Sequence, residues 1–97
     1  MSALSAGDVF RRRPDSIATE IDGEAVVMSI ATGRTFGLDK RGSRIWALLE
    51  KPSTVDGLVE ALLQEYDTTA EKCRADVVAF VAELMAHQLV TRDETPS

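Results

Sequence analysis

The chain is poor in reactive side chains: one cysteine, one histidine, and only 5% aromatic residues. Cys73 has no second thiol, so no internal disulfide can form. Cys73 and His87 make the only thiol–imidazole combination. On one helix they would stand about 21 Å apart at roughly 1.5 Å per residue, beyond the hydrogen-bond reach a nucleophile and its base need. Cys73 therefore reads as a small buried hydrophobe, and His87, near a helix C-terminus, as a partner of the helix dipole or of solvent. No glycine-rich phosphate loop occurs, because Gly33, Gly37 and Gly42 match no nucleotide fingerprint. Asp93 and Glu94 adjoin one another in a polar segment where nothing raises a carboxyl pKa. No hydrophobic run approaches the roughly 18 residues that span a bilayer. Residues 1–6 lack the basic and then apolar regions of a secretory signal, which predicts a cytoplasmic protein. These gaps point away from catalysis, cofactors and metals, and toward binding.

What is present fits one domain. The 97 residues are 44% hydrophobic and 28% charged, an ordinary globular balance around a single core. The formal charge of −5 is unevenly spread. Residues 1–48 carry seven basic and six acidic side chains, and residues 49–97 four and ten. An acidic half of this kind repels phosphate backbones, which argues against nucleic acid as the partner.

Residues 1–15 show no period and include Arg11-Arg12-Arg13-Pro14, which reads as a flexible arm, with contact to an acidic partner as the other reading of the arginines. Residues 16–90 carry the folded domain. Ile17, Thr19 and Ile21 alternate with Ala18 and Glu20, Asp22-Gly23 supplies a hairpin turn, and Val26, Met28 and Ile30 alternate with Ala25, Val27 and Ser29. Thr32-Gly33 marks a second turn before a short strand from Arg34 to Leu38. The period then becomes helical. Asp39 caps a helix running to about Glu50, with Ile45, Trp46, Leu48 and Leu49 apolar. Ser53 and Asp56, then Thr68 and Glu71, stand in capping-box spacing for two more helices, the last ending near Gln88. Residues 91–97 read as a frayed polar tail. Strands followed by helices imply an α+β fold with the apolar face of the sheet covered by helices.

A three-stranded meander leaves edges. Its third strand has one charge, Arg34, no proline, and Gly37 within it, so it lacks the usual protection against an added strand. On the third helix Phe80, Cys73, Leu84 and Val77 form the core stripe. Val81, Arg74, Met85 and Val78 widen it on one flank, and Asp76, Glu83, His87 and Lys72 occupy the other. The first flank either meets the other helices or walls a groove beside the strand edge, where an extended peptide could pair its backbone and lay alternate side chains on the helix. The peptide-binding set is then Arg34, Thr35, Phe36, Gly37 and Leu38 with Arg74, Val77, Val78, Val81 and Met85. Arg34 and Arg74, if they line that groove, favour an acidic side chain on the peptide.

The segment Thr32-Gly33-Arg34-Thr35-Phe36-Gly37-Leu38-Asp39, the motif Gly42-Ser43-Arg44-Ile45-Trp46, and the last helix with Asp76-Val77, Phe80 and a Leu89-Val90 end resemble the PqqD-like family. The likeness runs from about Ile17 to Val90. These are recognition elements for ribosomally made, post-translationally modified peptides (RiPPs). The resemblance implies a winged helix-turn-helix with a three-stranded antiparallel N-terminal sheet followed by three helices. It also implies that the leader of a precursor peptide docks as an extra strand on the third strand, against the third helix. Within the family the chain is most similar to freestanding leader-binding proteins of lasso-peptide biosynthesis, which pass the precursor to a separate cysteine protease. A chaperone of the PqqD type, presenting its precursor to a radical enzyme, is the alternative, and a DNA-binding winged helix regulator is a more distant one. Where the family often has glycine before the terminal Leu-Val, this chain has Gln88.

Overall fold

The structure is a computed structural model that describes residues 7–93. Asp22 and Gly23 turn with φ of 54° and 82°, the two positive angles a tight hairpin requires. They join β2 (Ser16–Ile21) to β3 (Glu24–Ser29). Gly33, at φ 72°, returns the chain into β4 (Thr35–Gly37). The three strands pair antiparallel in the order β2-β3-β4, with Ile17 opposite Met28 and Val27 opposite Phe36. This is the meander read from the sequence.

Three helices follow: α1 (Lys40–Leu48), α2 (Val55–Glu65) and α3 (Ala70–Ala86). Asp39 caps α1 by accepting the Gly42 N–H at 2.7 Å. The other two caps fall one residue later than their spacing predicts. Thr54 accepts from the Gly57 N–H and Thr69 from the Lys72 N–H, in place of Ser53 and Thr68. Ser53 is committed elsewhere, to a two-residue strand β5 (Ser53–Thr54). Ile45, Trp46, Leu49, Leu58, Leu62, Val77, Val81 and Leu84 form the core that the helices share, with Cys73 buried among them. The whole is the α+β architecture, a winged helix-turn-helix whose wing is the β2-β3-β4 sheet.

Two expectations about the ends do not hold. Residues 9–12, read as part of an arm, form β1 (Val9–Arg12). Residues 90–93, read largely as tail, form β6 (Val90–Asp93). With β5 they make a second antiparallel sheet in the order β5-β1-β6. The cause is Phe10, whose side chain is 0% exposed and belongs to the core. Arg12 lies over the Trp46 ring, 4.5 Å from its centroid, and donates to the Trp46 carbonyl. This partial burial lowers the Arg12 pKa, against the opposing pull of Glu50. Arg13 pairs with Asp15. Residues 1–6 and 94–97, the remaining parts of that arm and tail, lie outside the described residues.

A third difference concerns which sheet face is covered. Ala25, Val27 and Ser29 face inward and are buried, while Val26 and Met28 are half-buried and Ile17 and Ile21 exposed. The more apolar face is thus the uncovered one. The covered face suits the small residues that open α1. A Cβ on Gly42 would stand 2.8 Å from the Phe80 ring, so only glycine lets α1 and α3 approach this closely. The Ser43 hydroxyl accepts the Ala25 N–H at 2.7 Å and donates to the Leu38 carbonyl at 3.3 Å. Leu38 in turn donates to the Ala25 carbonyl at 2.8 Å. Ser43 therefore completes the β3–β4 ladder where the strands part. Ser43→Ala leaves a buried amide and carbonyl without this bridge, and the expected loss is about 1–3 kcal/mol in a chemical unfolding titration.

Gln88 ends α3 without glycine. It adopts φ 59°. The Leu89 N–H reaches the Leu84 carbonyl at 2.9 Å and the Gln88 N–H the Met85 carbonyl at 3.0 Å, a Schellman stop with Leu89 and Leu84 both buried. A non-glycine residue in this conformation costs about 1–2 kcal/mol, part of which glycine returns as extra entropy of the unfolded chain. Gln88→Gly is expected to stabilise by about 0.5–1 kcal/mol, seen as a melting temperature a few degrees higher.

Candidate functional site

β4 is an edge strand, since its sheet ends with it. The Ser29 N–H donates to the Arg34 carbonyl, the Leu38 N–H donates to the Ala25 carbonyl, and Phe36 stands opposite Val27. Residues 34, 36 and 38 thus turn their backbone groups toward β3. By the alternation of an antiparallel ladder, the amide and carbonyl of Thr35 and of Gly37 point away from the sheet. Both residues are exposed. Gly37 has no positive φ, and a Cβ built on it would meet nothing within 4 Å. Neither conformation nor internal packing requires glycine there, which is the pattern of a position left open to another backbone.

Beside this edge lies a cleft of about 380 Å³. Phe36, Gly37, Leu38 and Asp39 form one wall, and Phe80, Glu83, Leu84 and His87 of α3 the other, with Leu89 at the end. The α3 residues follow i, i+3, i+4, i+7 spacing, one stripe of a helix. His87 stacks on Phe36 with ring centroids 4.2 Å apart, so it contacts β4 rather than serving only the helix end. A second cleft, about 520 Å³, opens on the outer face between Ile21, Asp22, Glu24, Ala25 and Val26 and the same Gly37-Leu38-Asp39 segment. The end of β4 is therefore accessible from both faces of the sheet.

Of the sequence-derived set, Phe36, Gly37 and Leu38 line the cleft, Thr35 lies on the free edge, and Arg34 stands exposed just before it. The α3 members fall elsewhere. Val77 and Val81 are 0% exposed and have no surface to offer a guest. Val78 and Met85 pack on the core. Arg74 is hydrogen-bonded to Asp56 of α2, so the flank expected to wall the groove meets α2 instead. The physical reason is the Gly42 contact, which brings Phe80 toward α1 and the cleft. The charges at the cleft are Asp39 and Glu83, not the arginine pair from which an acidic-peptide preference was argued. Phe80, read as core, and Glu83 and His87, read as a polar flank, are the residues the sequence reading did not assign to the site.

The Gly-Ser-Arg-Ile-Trp motif acts inside the fold. Gly42 admits Phe80, Ser43 bridges β3 and β4, and Ile45 and Trp46 are buried. Arg44 binds both carboxylate oxygens of Glu65 on α2, which holds Glu65 below the usual carboxylate range. Among the described residues no group of three His, Cys, Asp or Glu side chains is placed to hold a metal, and no helix is long and apolar enough to cross a membrane.

Residues 24–90 match the family model for coenzyme PQQ synthesis protein D (PqqD). The chain belongs to the PqqD family. Solved structures agree with the assignment. TbiB1, determined in complex with the TbiA(β) leader peptide, is 30% identical with a TM-score of 0.78 over 90% of this chain and 99% of that one. The PqqD truncation of Methylobacterium extorquens PqqCD, described as a stand-alone RiPP recognition element, is 25% identical with a TM-score of 0.77, over 93% and 96% of the two chains. A lasso peptide synthetase B1 complexed with its leader peptide shares the fold at 21% identity and a TM-score of 0.75, over 84% and 96%. A search of curated proteins finds no match. This PqqD-family chain thus has the recognition-element fold, with the β4 edge and its cleft uncovered among the described residues.

Proposed function

We propose that this protein captures the leader segment of a ribosomally made precursor peptide without catalysing a reaction on it. The leader adds as an antiparallel strand to β4, against α3, and is delivered in the cytoplasm to a separate modifying enzyme. For a lasso-peptide system that enzyme is the cysteine protease that removes the leader. The observation that carries the reading is the pair of outward-facing backbone sites at Thr35 and Gly37 beside the Phe36–Phe80–His87 cleft. Main-chain bonds to that edge supply affinity, and the side chain opposite Phe36 enters the cleft, where the half-buried rings of Phe36 and Phe80 favour an apolar group. The complex of TbiB1 with a leader peptide supports leader capture, and the resemblance of the Phe36-Gly37-Leu38-Asp39 segment to freestanding leader-binding proteins of lasso-peptide biosynthesis supports the lasso assignment. The PqqD family match supports the alternative, presentation of the precursor to a radical enzyme.

Titrating fluorescently labelled leader peptides of candidate precursors, lasso and PQQ types in parallel, tests the reading. Saturable binding of the lasso leader is expected. Binding of the PQQ type alone favours the radical-enzyme alternative, and binding of neither removes the proposal.

A further inference from the structure

Three large aliphatic side chains stand exposed: Ile17 at 52%, Ile21 at 60% and Ile30 at 55%. Ile17 and Ile21 lie on the outer face of β2, where Ile17 is opposite Met28, and Ile30 follows directly after β3. Val26 and Met28 continue that face toward Gly37 and Thr35, their partners on β4. Ile17 and Met28 thus form an apolar row that reaches Thr35 at the free edge, with Val26 beside it next to Gly37. Isolated exposed aliphatics are common on soluble proteins, but a contiguous group of this kind marks a docking surface.

We infer that this outer face is where the leader-loaded protein meets the enzyme that acts on the precursor, and that the enzyme presents an apolar patch bordered by lysine or arginine. The inference rests on leader capture at β4. A strand added there directs the side chain opposite Phe36 into the cleft and the side chains opposite Thr35 and Gly37 onto the outer face. The cleft residues are hidden once the leader is bound. An enzyme seated on the outer face touches carrier and leader together, and so binds the loaded form more tightly than the empty one. Charge sets the partner's chemistry. Asp22 and Glu24 are exposed at the β2–β3 turn, and Glu24 stands on the outer face opposite Ile21. A basic border on the enzyme complements them, whereas a second copy of this chain docked with the turns together would repel.

The test uses the full chain, a labelled leader peptide and the leader-removing cysteine protease. Ile17→Thr/Ile30→Thr removes apolar surface at positions that line neither cleft and keeps β-branched side chains there. Leader affinity, by fluorescence anisotropy, is expected to stay within about twofold of wild type, because neither residue lies on the β4 edge or in a cleft beside it. Protease affinity for the loaded protein, by biolayer interferometry, is expected to fall about tenfold or more, and wild-type protease affinity to weaken as salt is raised. Unchanged protease affinity with intact leader binding overturns the docking face while leaving leader capture standing. Loss of leader affinity in this variant assigns the face to the leader site and overturns it as well. Concentration-dependent dimerisation of wild type that the isoleucine variant abolishes assigns it to a second copy instead. Failure of the wild type to bind any leader defeats the underlying reading, a result distinct from all of these.

Discussion

Proline at Thr35 or at Gly37 is expected to weaken leader binding by up to about a hundredfold while the protein stays folded. Each substitution removes an amide that points away from β3 and sets a ring where the guest backbone must approach. The bonds that hold β4 in its sheet come from residues 34, 36 and 38 and are untouched. Edge strands accept proline for this reason, provided the lost donor faces outward. One hydrogen bond contributes about 0.5–1.5 kcal/mol, and the ring displaces the neighbouring bond as well, so the expected loss is up to about a hundredfold in affinity. Phe36 is the control. Its amide faces β3, so Phe36→Pro should cost stability, visible as a lower melting temperature, as well as binding. Leader affinity unchanged in both Thr35→Pro and Gly37→Pro would exclude strand addition at β4.

Phe10→Ala should be the most damaging single truncation near either end of the chain. The ring is fully buried, and β1 is the central strand of the sheet that ties residues 53–54 to residues 90–93. Truncating a buried phenylalanine costs about 3–5 kcal/mol, a large share of the roughly 5–15 kcal/mol that holds a domain of this kind together. For a chain of this length that is roughly 15–30 °C in melting temperature, measured by circular dichroism at the helical band. A shift of only a degree or two would return residues 9–12 to the status of an arm.

Phe10 also shows where local sequence patterns stop being informative. The β2–β3 hairpin was legible because Asp22-Gly23 and period-2 alternation lie within one short window, and α1 because Asp39 and the Ile45, Trp46, Leu49 spacing do likewise. β1 is four residues long, too short for a period, and its partners stand at Ser53–Thr54 and Val90–Asp93. Nothing near Phe10 in the chain announces them. The covered sheet face was obscured for a related reason. Ala25, Val27 and Ser29 look less suited to burial than Val26, Met28 and Ile30, until Ser43 supplies the hydroxyl that joins β3 to β4.

The candidate site was half legible. Its strand followed from the unprotected third strand, and Phe36, Gly37 and Leu38 do line the cleft. Its helix wall was drawn from the wrong flank, because a helical wheel orders the faces of α3 without stating which one turns toward β4. That choice depends on Gly42 receiving Phe80, a contact between helices far apart in sequence. The i, i+3, i+4, i+7 run of Phe80, Glu83, Leu84 and His87 was the available signal.

Amide hydrogen exchange, read residue by residue by NMR with and without a saturating leader peptide, tests strand addition most directly. The account predicts that the Thr35 and Gly37 amides exchange rapidly in the free protein and become protected by about tenfold or more when the leader binds, with Phe36 and Leu38 protected in both states. A leader that binds while leaving Thr35 and Gly37 as exposed to exchange as before contradicts it.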